Sequence, residues 1–328
     1  MIRIALAVGI AAFVLSLTGL IVRGFGASDF SWQLRAAERV VDGESPYTDP
    51  RNGDATRGGP YYPYPFDSPV YYPIHAALVA VPFSGIPSDQ LAAASFFGVA
   101  SGLLAYGMAR KRHWHGFAVF LSPSFMLAAG VAQWSPLLMA TAFLPGLFFL
   151  APIKPNLGLI AAIYGRPKPL YILTCIAVAF WTFILFPWWP ADWLNSISQS
   201  GRYIAPVKVM PIGPLLLLAA LRWRSREGQT LLGLSLVPQL TWFYDQLLLW
   251  LIPRNKTEAA VLTAFSWIAW LGFKNFRLVD IFGAHNVGDA RPWIMACMFL
   301  PALVIVLQPW QWRLPRRQRL PVSVTAEA

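Results

Sequence analysis

Long apolar stretches separated by short polar, proline-rich or basic breaks run through most of the chain. The first, residues 4–22, is uninterrupted, and roughly 20 apolar residues in a helix cover the hydrocarbon core of a bilayer. A basic start and an apolar centre give this stretch the look of a signal peptide. It has no small-x-small cleavage site followed by a soluble domain, so it reads as an uncleaved first span. Residues 23–69 then change character, with Gly, Pro, Asp and Arg in quantity. Gly58-Gly59-Pro60 followed by Tyr61, Tyr62, Pro63, Tyr64 and Pro65 cannot continue a helix, which makes this an exterior loop. Within it, residues 31–41 predict a short interfacial helix. Trp32, Leu34, Ala37 and Val40 fall toward one side, and Arg35, Glu38 and Arg39 fall elsewhere.

Residues 70–87 pose a topological problem. If they crossed the membrane and residues 90–109 crossed back, Arg110-Lys111-Arg112 would face outside, against the preference of basic loops for the cytoplasmic side. A shorter re-entrant helix bounded by Pro73, Pro82 and Pro87 removes the conflict, and irregular backbone at that depth needs protein or a water-filled cavity around it. Further apolar runs lie at 116–132, 136–152, 170–187, 208–221, 229–252, 257–273 and 292–309. The run over 231–251 is broken by Pro238 and carries Gln239, Tyr244, Asp245 and Gln246, which predicts a hairpin of two short helices with Asp245 at its tip. In total about eight to ten membrane segments are expected, some partial. The single integral domain, residues 1–328, then divides into a first span (1–22), an exterior loop (23–69), the remaining segments (70–312) and a basic cytoplasmic tail (313–328). No internal repeat of the transporter kind is visible.

Composition agrees with a polytopic, all-α transmembrane bundle. The chain is 56% hydrophobic and only 12% charged, too apolar for a soluble domain of 328 residues. The net charge of +11 sits in short clusters between apolar runs, such as Arg222-Trp223-Arg224-Ser225-Arg226, so it reports topology and not nucleic-acid binding. Cys175 and Cys297 stand singly in apolar runs, with no CxxC and no histidine nearby, and read as packing residues and not as a disulfide or zinc site. His113-Trp114-His115 has the proximity of a metal pair but sits in a basic cluster, and reads as a solvated inside loop. No cofactor motif occurs: there is no Walker loop and no GxGxxG after a strand.

Asp29 is the most informative single residue. A carboxylate at the water edge of a bilayer is costly to desolvate, so its place at the mouth of a helix bundle marks a functional site. The alternative is an N-cap for the interfacial helix.

Around Asp29 the chain resembles glycosyltransferase family 87, the polytopic C-type enzymes that include polyprenyl-phosphomannose-dependent mannosyltransferases. The matching residues are Asp29-Phe30, Ala36-Ala37, Gly43, Pro46-Tyr47 and Tyr71-Tyr72-Pro73. Gln133 to Leu138 is similar to the family's GQ-x-x-LL segment, with Ala132 in place of Gly, and Lys154-Pro155 to its Lys-Pro. Residues 238–246, PQLTWFYDQ, resemble a late segment in which the mannosyltransferases carry histidine where this chain has Tyr244-Asp245. The likeness extends from residue 1 to about residue 253.

That resemblance implies a bacterial plasma-membrane enzyme whose site faces outward. It would move a hexose or pentose from a polyprenyl-phosphate-linked donor to a lipid or glycan acceptor, with the bilayer as its other partner. Asp29 would be the general base. Lys154, Arg202 and Arg57 are candidates for the leaving phosphate, and Gln133, Trp134, Tyr62, Tyr244 and Asp245 for the sugar and its surroundings. Each has a plainer reading: Lys154 as a snorkelling anchor, Asp245 as a helix cap, Gln133 and Trp134 as packing. A small-solute transporter and a non-catalytic envelope-assembly protein are the alternative functions.

Overall fold

The computed structural model describes residues 1–23, 29–47, 70–198, 203–275 and 289–308. Among these the chain is helical, and the one β feature is an isolated antiparallel bridge between Ile204 and Gln239. The first half holds α1 (Ile2–Arg23), α2 (Asp29–Val41), α3 (Ile74–Ser84), α4 (Asp89–Arg110), α5 (Pro123–Ala129), α6 (Ser135–Phe143) and α7 (Pro155–Gly165). The second half holds α8 (Pro169–Leu185), α9 (Trp189–Ser198), α10 (Arg226–Leu236), α11 (Lys256–Phe273) and α12 (Arg291–Leu307). Tighter 3-10 segments at Trp114–Leu121, Pro145–Ile153, Gly213–Arg222 and Phe243–Leu251 lie between them.

By length and composition, two described helices, α1 and α4, are able to cross a membrane; the pair α8 and α9, bent by 99°, makes a third if it is one span. The other described apolar segments are shorter than a full crossing. Proline is the physical reason. Pro123, Pro136, Pro145, Pro155 and Pro214 each stand in the first turn of a new helical segment, so runs that are apolar without interruption are cut into short pieces. In α12, Pro301 cannot donate to the carbonyl four residues back, and the turn just before it, Met295–Phe299, is a π-helix. The helix expected over 257–273 appears as α11.

α1 and α4 pack with their backbones in contact. A Cβ on Gly98 would lie 2.9 Å from the Phe13 Cβ and 3.0 Å from the Gly9 carbonyl oxygen, and one on Gly102 would lie 3.1 Å from the Ala5 carbonyl oxygen. Small residues four apart on both helices allow this approach, which is how helices associate where no hydrophobic force separates protein from solvent. Gly98→Leu should force the pair apart and cost about 1–3 kcal/mol. A lowered thermal midpoint in detergent would show it, whereas an unchanged midpoint would mean that the crossing adjusts freely.

The outward faces of α1 and α8 are apolar, with Leu6, Ile10, Val14, Leu173, Ile176, Phe180 and Trp181 all exposed. Such a surface is too apolar to face water without a partner. At the centre lies Phe243–Leu251, whose Phe243 and Leu247 through Leu251 are buried against α5, α6 and α7. α3 has 11 residues and reaches about 16 Å, half of a hydrocarbon core.

α2 differs from its expected form. It begins at Asp29, two residues earlier than predicted, and buries Phe30, Ser31, Gln33, Leu34, Ala36, Ala37 and Val40. It packs chiefly on α3, so the interior claims part of a face expected to lie on a membrane plane. Arg35 pairs with Glu38 and with Asp89 of α4, both at 2.9 Å, which ties the helix in orientation more than it adds stability.

Candidate functional site

Helix ends built in the same way recur along the described chain, two of them at the site. After α2 the chain turns at Gly43, which has φ +77°; the Glu44 N–H then donates to the Arg39 carbonyl at 2.8 Å and the Gly43 N–H to the Val40 carbonyl at 3.1 Å. This is the left-handed helix ending that glycine adopts without strain. After α5 the same geometry falls on Ala132, with φ 50°, and the Gln133 N–H donates to the Ala128 carbonyl at 2.9 Å. After α4 it falls on Arg112, with φ 56°. An alanine in this conformation carries about 1–2 kcal/mol of strain, so Ala132→Gly is expected to be neutral or to raise stability by up to ~1 kcal/mol. Thermal unfolding would measure it, and a destabilised variant would contradict the assignment.

These turns bring Gln133 to Asp29. The Gln133 Nε2 donates to Asp29 Oδ2, and its Oε1 accepts from the Trp134 N–H at 3.4 Å. Gln133 is 1% exposed, so its amide orientation is fixed by these partners and not by solvent. Trp134 is buried beside Phe96, with ring centroids 4.6 Å apart, and near Phe30 and Tyr72 at 5.6 and 6.4 Å. It therefore acts as a wall that holds Gln133, and its ring is packed on other rings.

Lys154 and Asp245 form the second half. Lys154 Nζ donates to Asp245 Oδ1 at 2.5 Å, with side chains 8% and 0% exposed. Lys154 precedes Pro155 at the start of α7, and Asp245 sits in the first turn of Phe243–Leu251. Burial rules out the snorkelling anchor for Lys154. It also corrects the hairpin expectation. The chain does break around Pro238, but Asp245 stands on the second arm, inside the protein, and not at a tip. Asp245 Oδ2 is buried with no hydrogen-bond partner among the described residues. A buried carboxylate oxygen left open in this way is expensive and is what a ligand hydroxyl or ammonium would satisfy.

Tyrosines join the two halves. Lys154 Nζ lies 5.8 Å from the Tyr72 ring centroid. Both carboxylates, Asp29 and Asp245, act electrostatically on Tyr72, Tyr203 and Tyr244. Burial is the largest influence on the Tyr203 phenol and holds it well above the ordinary range; Lys154 opposes this, while Tyr72, Asp245 and Asp29 add to it. It remains a neutral hydroxyl, able both to donate and to accept. Tyr203 is held by the bridge in which Ile204 and Gln239 exchange backbone hydrogen bonds at 3.2 Å, so the PQLTWFYDQ segment places it.

The Tyr71-Tyr72-Pro73 stretch is clamped from two sides. Tyr47 Oη donates to the Tyr72 carbonyl at 2.9 Å, and Trp193 Nε1 to the Tyr71 carbonyl at 3.1 Å. Burial first, and Asp192 second, hold the Tyr47 phenol far above its usual range, which keeps its proton available for that bond. Pro46-Tyr47 and Tyr71-Tyr72-Pro73, distant in sequence, thus meet at one place.

Of the residues singled out in the sequence, Asp29, Gln133, Lys154, Tyr244 and Asp245 come together, and Trp134 supports them. Tyr62, Arg202 and Arg57 lie outside the described residues. Tyr203 was not anticipated and Tyr72 was not assigned to the site; the bond across the bridge is a long-range feature that periodicity does not carry. His113 and His115 are half-buried in a loop whose Arg112 and Trp114 are exposed, with ring centroids 4.0 Å apart; burial first, and His115 second, pull the His113 imidazole down to about 4. The two cysteines are half-buried and free. Among the described residues, no group of three or more His, Cys, Asp and Glu side chains is arranged to hold a metal ion. Comparison of the chain with protein-family models, with curated proteins and with solved structures finds no match.

Proposed function

We propose that the chain is a membrane-embedded glycosyltransferase of the C-type, resembling family 87, that moves a mannose-like hexose or a pentose from a polyprenyl-phosphate sugar to an envelope lipid or glycan. The observation that carries this reading is the meeting of Asp29 and Gln133 with the buried Lys154–Asp245 pair among Tyr72, Tyr203 and Tyr244. All of these except Tyr203 lie in the segments that carry the family likeness.

The chemistry asks for few groups. An acceptor hydroxyl attacks the anomeric carbon and gives its proton to the Asp29 carboxylate as the new carbon–oxygen bond forms. The bond from the anomeric carbon to the phosphate oxygen breaks, and polyprenyl phosphate departs with the electron pair. Gln133 donates to one oxygen of Asp29 and so orients the carboxylate toward the acceptor. Lys154 gives one of its three N–H groups to Asp245, and the others are available to the leaving phosphate. The open Asp245 Oδ2 accepts from a sugar hydroxyl. A lipid donor enters from the bilayer, past the apolar faces of α1 and α8. With Arg110 to Arg112 inside, the Asp29 end of α2 faces the exterior of the bacterial plasma membrane.

Sugar transfer by the purified protein from a panel of radiolabelled polyprenyl-phosphate sugars to a membrane-lipid extract tests the reading and names the donor. If nothing is transferred across a broad panel, while proteoliposomes take up a small solute, the chain is a transporter that uses the same buried ion pair.

A further inference from the structure

The corner between α4 and Trp114–Leu121, remote in sequence from the residues of the site, holds two imidazoles with an unmet need. Nε2 of His113 and Nε2 of His115 are each buried with no hydrogen-bond partner among the described residues, although the rings lie 4.0 Å apart, centroid to centroid. A buried polar atom without a partner calls for an explanation.

The corner is rigid. The His113 N–H donates to the Met108 carbonyl at 2.9 Å across the left-handed Arg112, and the Gly116 N–H returns to the His113 carbonyl at 3.1 Å. The His113 ring lies over Gly116, where a Cβ would stand 2.9 Å from its Nε2 and 3.4 Å from the Met108 methyl. Phe143 closes one side, with its ring 5.1 Å from that of His113. The Pro253 carbonyl acts on the His115 ring, and the ring's Nε2 has no partner among the described residues. A carbonyl beside one ring nitrogen favours the proton there and leaves the lone pair on the other. Metal-ligating histidines are oriented in the same way. Glu258 supplies a negative charge that acts on His115, and Arg254 pairs with Glu258 at 3.1 Å. The neighbouring Arg110, Lys111 and Arg112 are exposed, so water and salt weaken their repulsion of a cation.

We propose that His113 and His115 form a two-imidazole site for a borderline transition-metal ion of the zinc class. Two imidazole nitrogens suit such an ion and not magnesium or calcium, which take oxygen. Water or an outside ligand completes the coordination. The proposal does not depend on sugar transfer.

The test is titration of the full-length protein in detergent with zinc chloride against a chelating dye. One zinc per chain is expected. His113→Gln and His115→Gln should each weaken binding by more than ~10-fold, the lower end of what loss of an outer-shell partner alone costs, and the double variant should abolish it. His75→Gln should leave binding unchanged. No stoichiometric uptake, or equal uptake by the double variant, overturns the site. If the variants fail to fold, the zinc absorption-edge spectrum of the unsubstituted protein decides instead. Imidazole scattering from two nitrogens supports the proposal, and its absence sinks it.

Discussion

Asp29→Asn is expected to lower sugar transfer by about 10²–10⁴-fold, the usual contribution of a positioned general base. The substitution is chosen because it spares the structure. The Asn carbonyl oxygen still accepts from Gln133 Nε2, so α2 keeps its place against the start of α6. Only the capacity to take a proton is lost. The rate should therefore fall with the thermal midpoint nearly unchanged. A drop in both would mean that Asp29 serves the helix start, where an acid is favourable anyway. An Asn variant as active as the parent would remove Asp29 from the chemistry. Gln133→Leu is the companion, since it removes the amide that orients the carboxylate without changing its charge.

Asp29 and Asp245 stood out in the sequence because charged groups in apolar surroundings are costly, whereas Gln133 and Lys154 stood out only through the family likeness. The long helices α1 and α11 were legible for a related reason, as unbroken apolar runs. The middle of the chain was not. From Trp114 to Ile153 the segments are short and largely apolar on every side, so no face repeats at the helical period and hydropathy merges them. Only the prolines mark the joints. Gly43 and Ala132 make the same point about turns. Both stand in a left-handed helix ending, but alanine does not announce it, whereas glycine does. Tyr203 escaped notice because what places it is the pair of backbone bonds between its neighbour Ile204 and the distant Gln239.

The Lys154–Asp245 pair gives the largest expected effect on stability. Removing one partner leaves the other charged and buried, which typically costs about 3–5 kcal/mol, so Lys154→Met and Asp245→Leu should each lower the thermal midpoint strongly. The two changes made together should recover most of that loss, because two apolar side chains of similar volume replace the pair without desolvating any charge. This recovery is what allows function to be separated from folding. If Lys154 stabilises the departing phosphate, the restored double variant folds but stays inactive, since no ammonium remains where the negative charge develops. A double variant that transfers sugar at the parent rate would show the pair to be structural and would move the phosphate contact elsewhere. Single variants that lose no more than ~1 kcal/mol would show instead that water reaches the pair, as it does at exposed ion pairs. That result would also weaken the case for an open Asp245 oxygen waiting for a sugar hydroxyl, because the same water would already satisfy it.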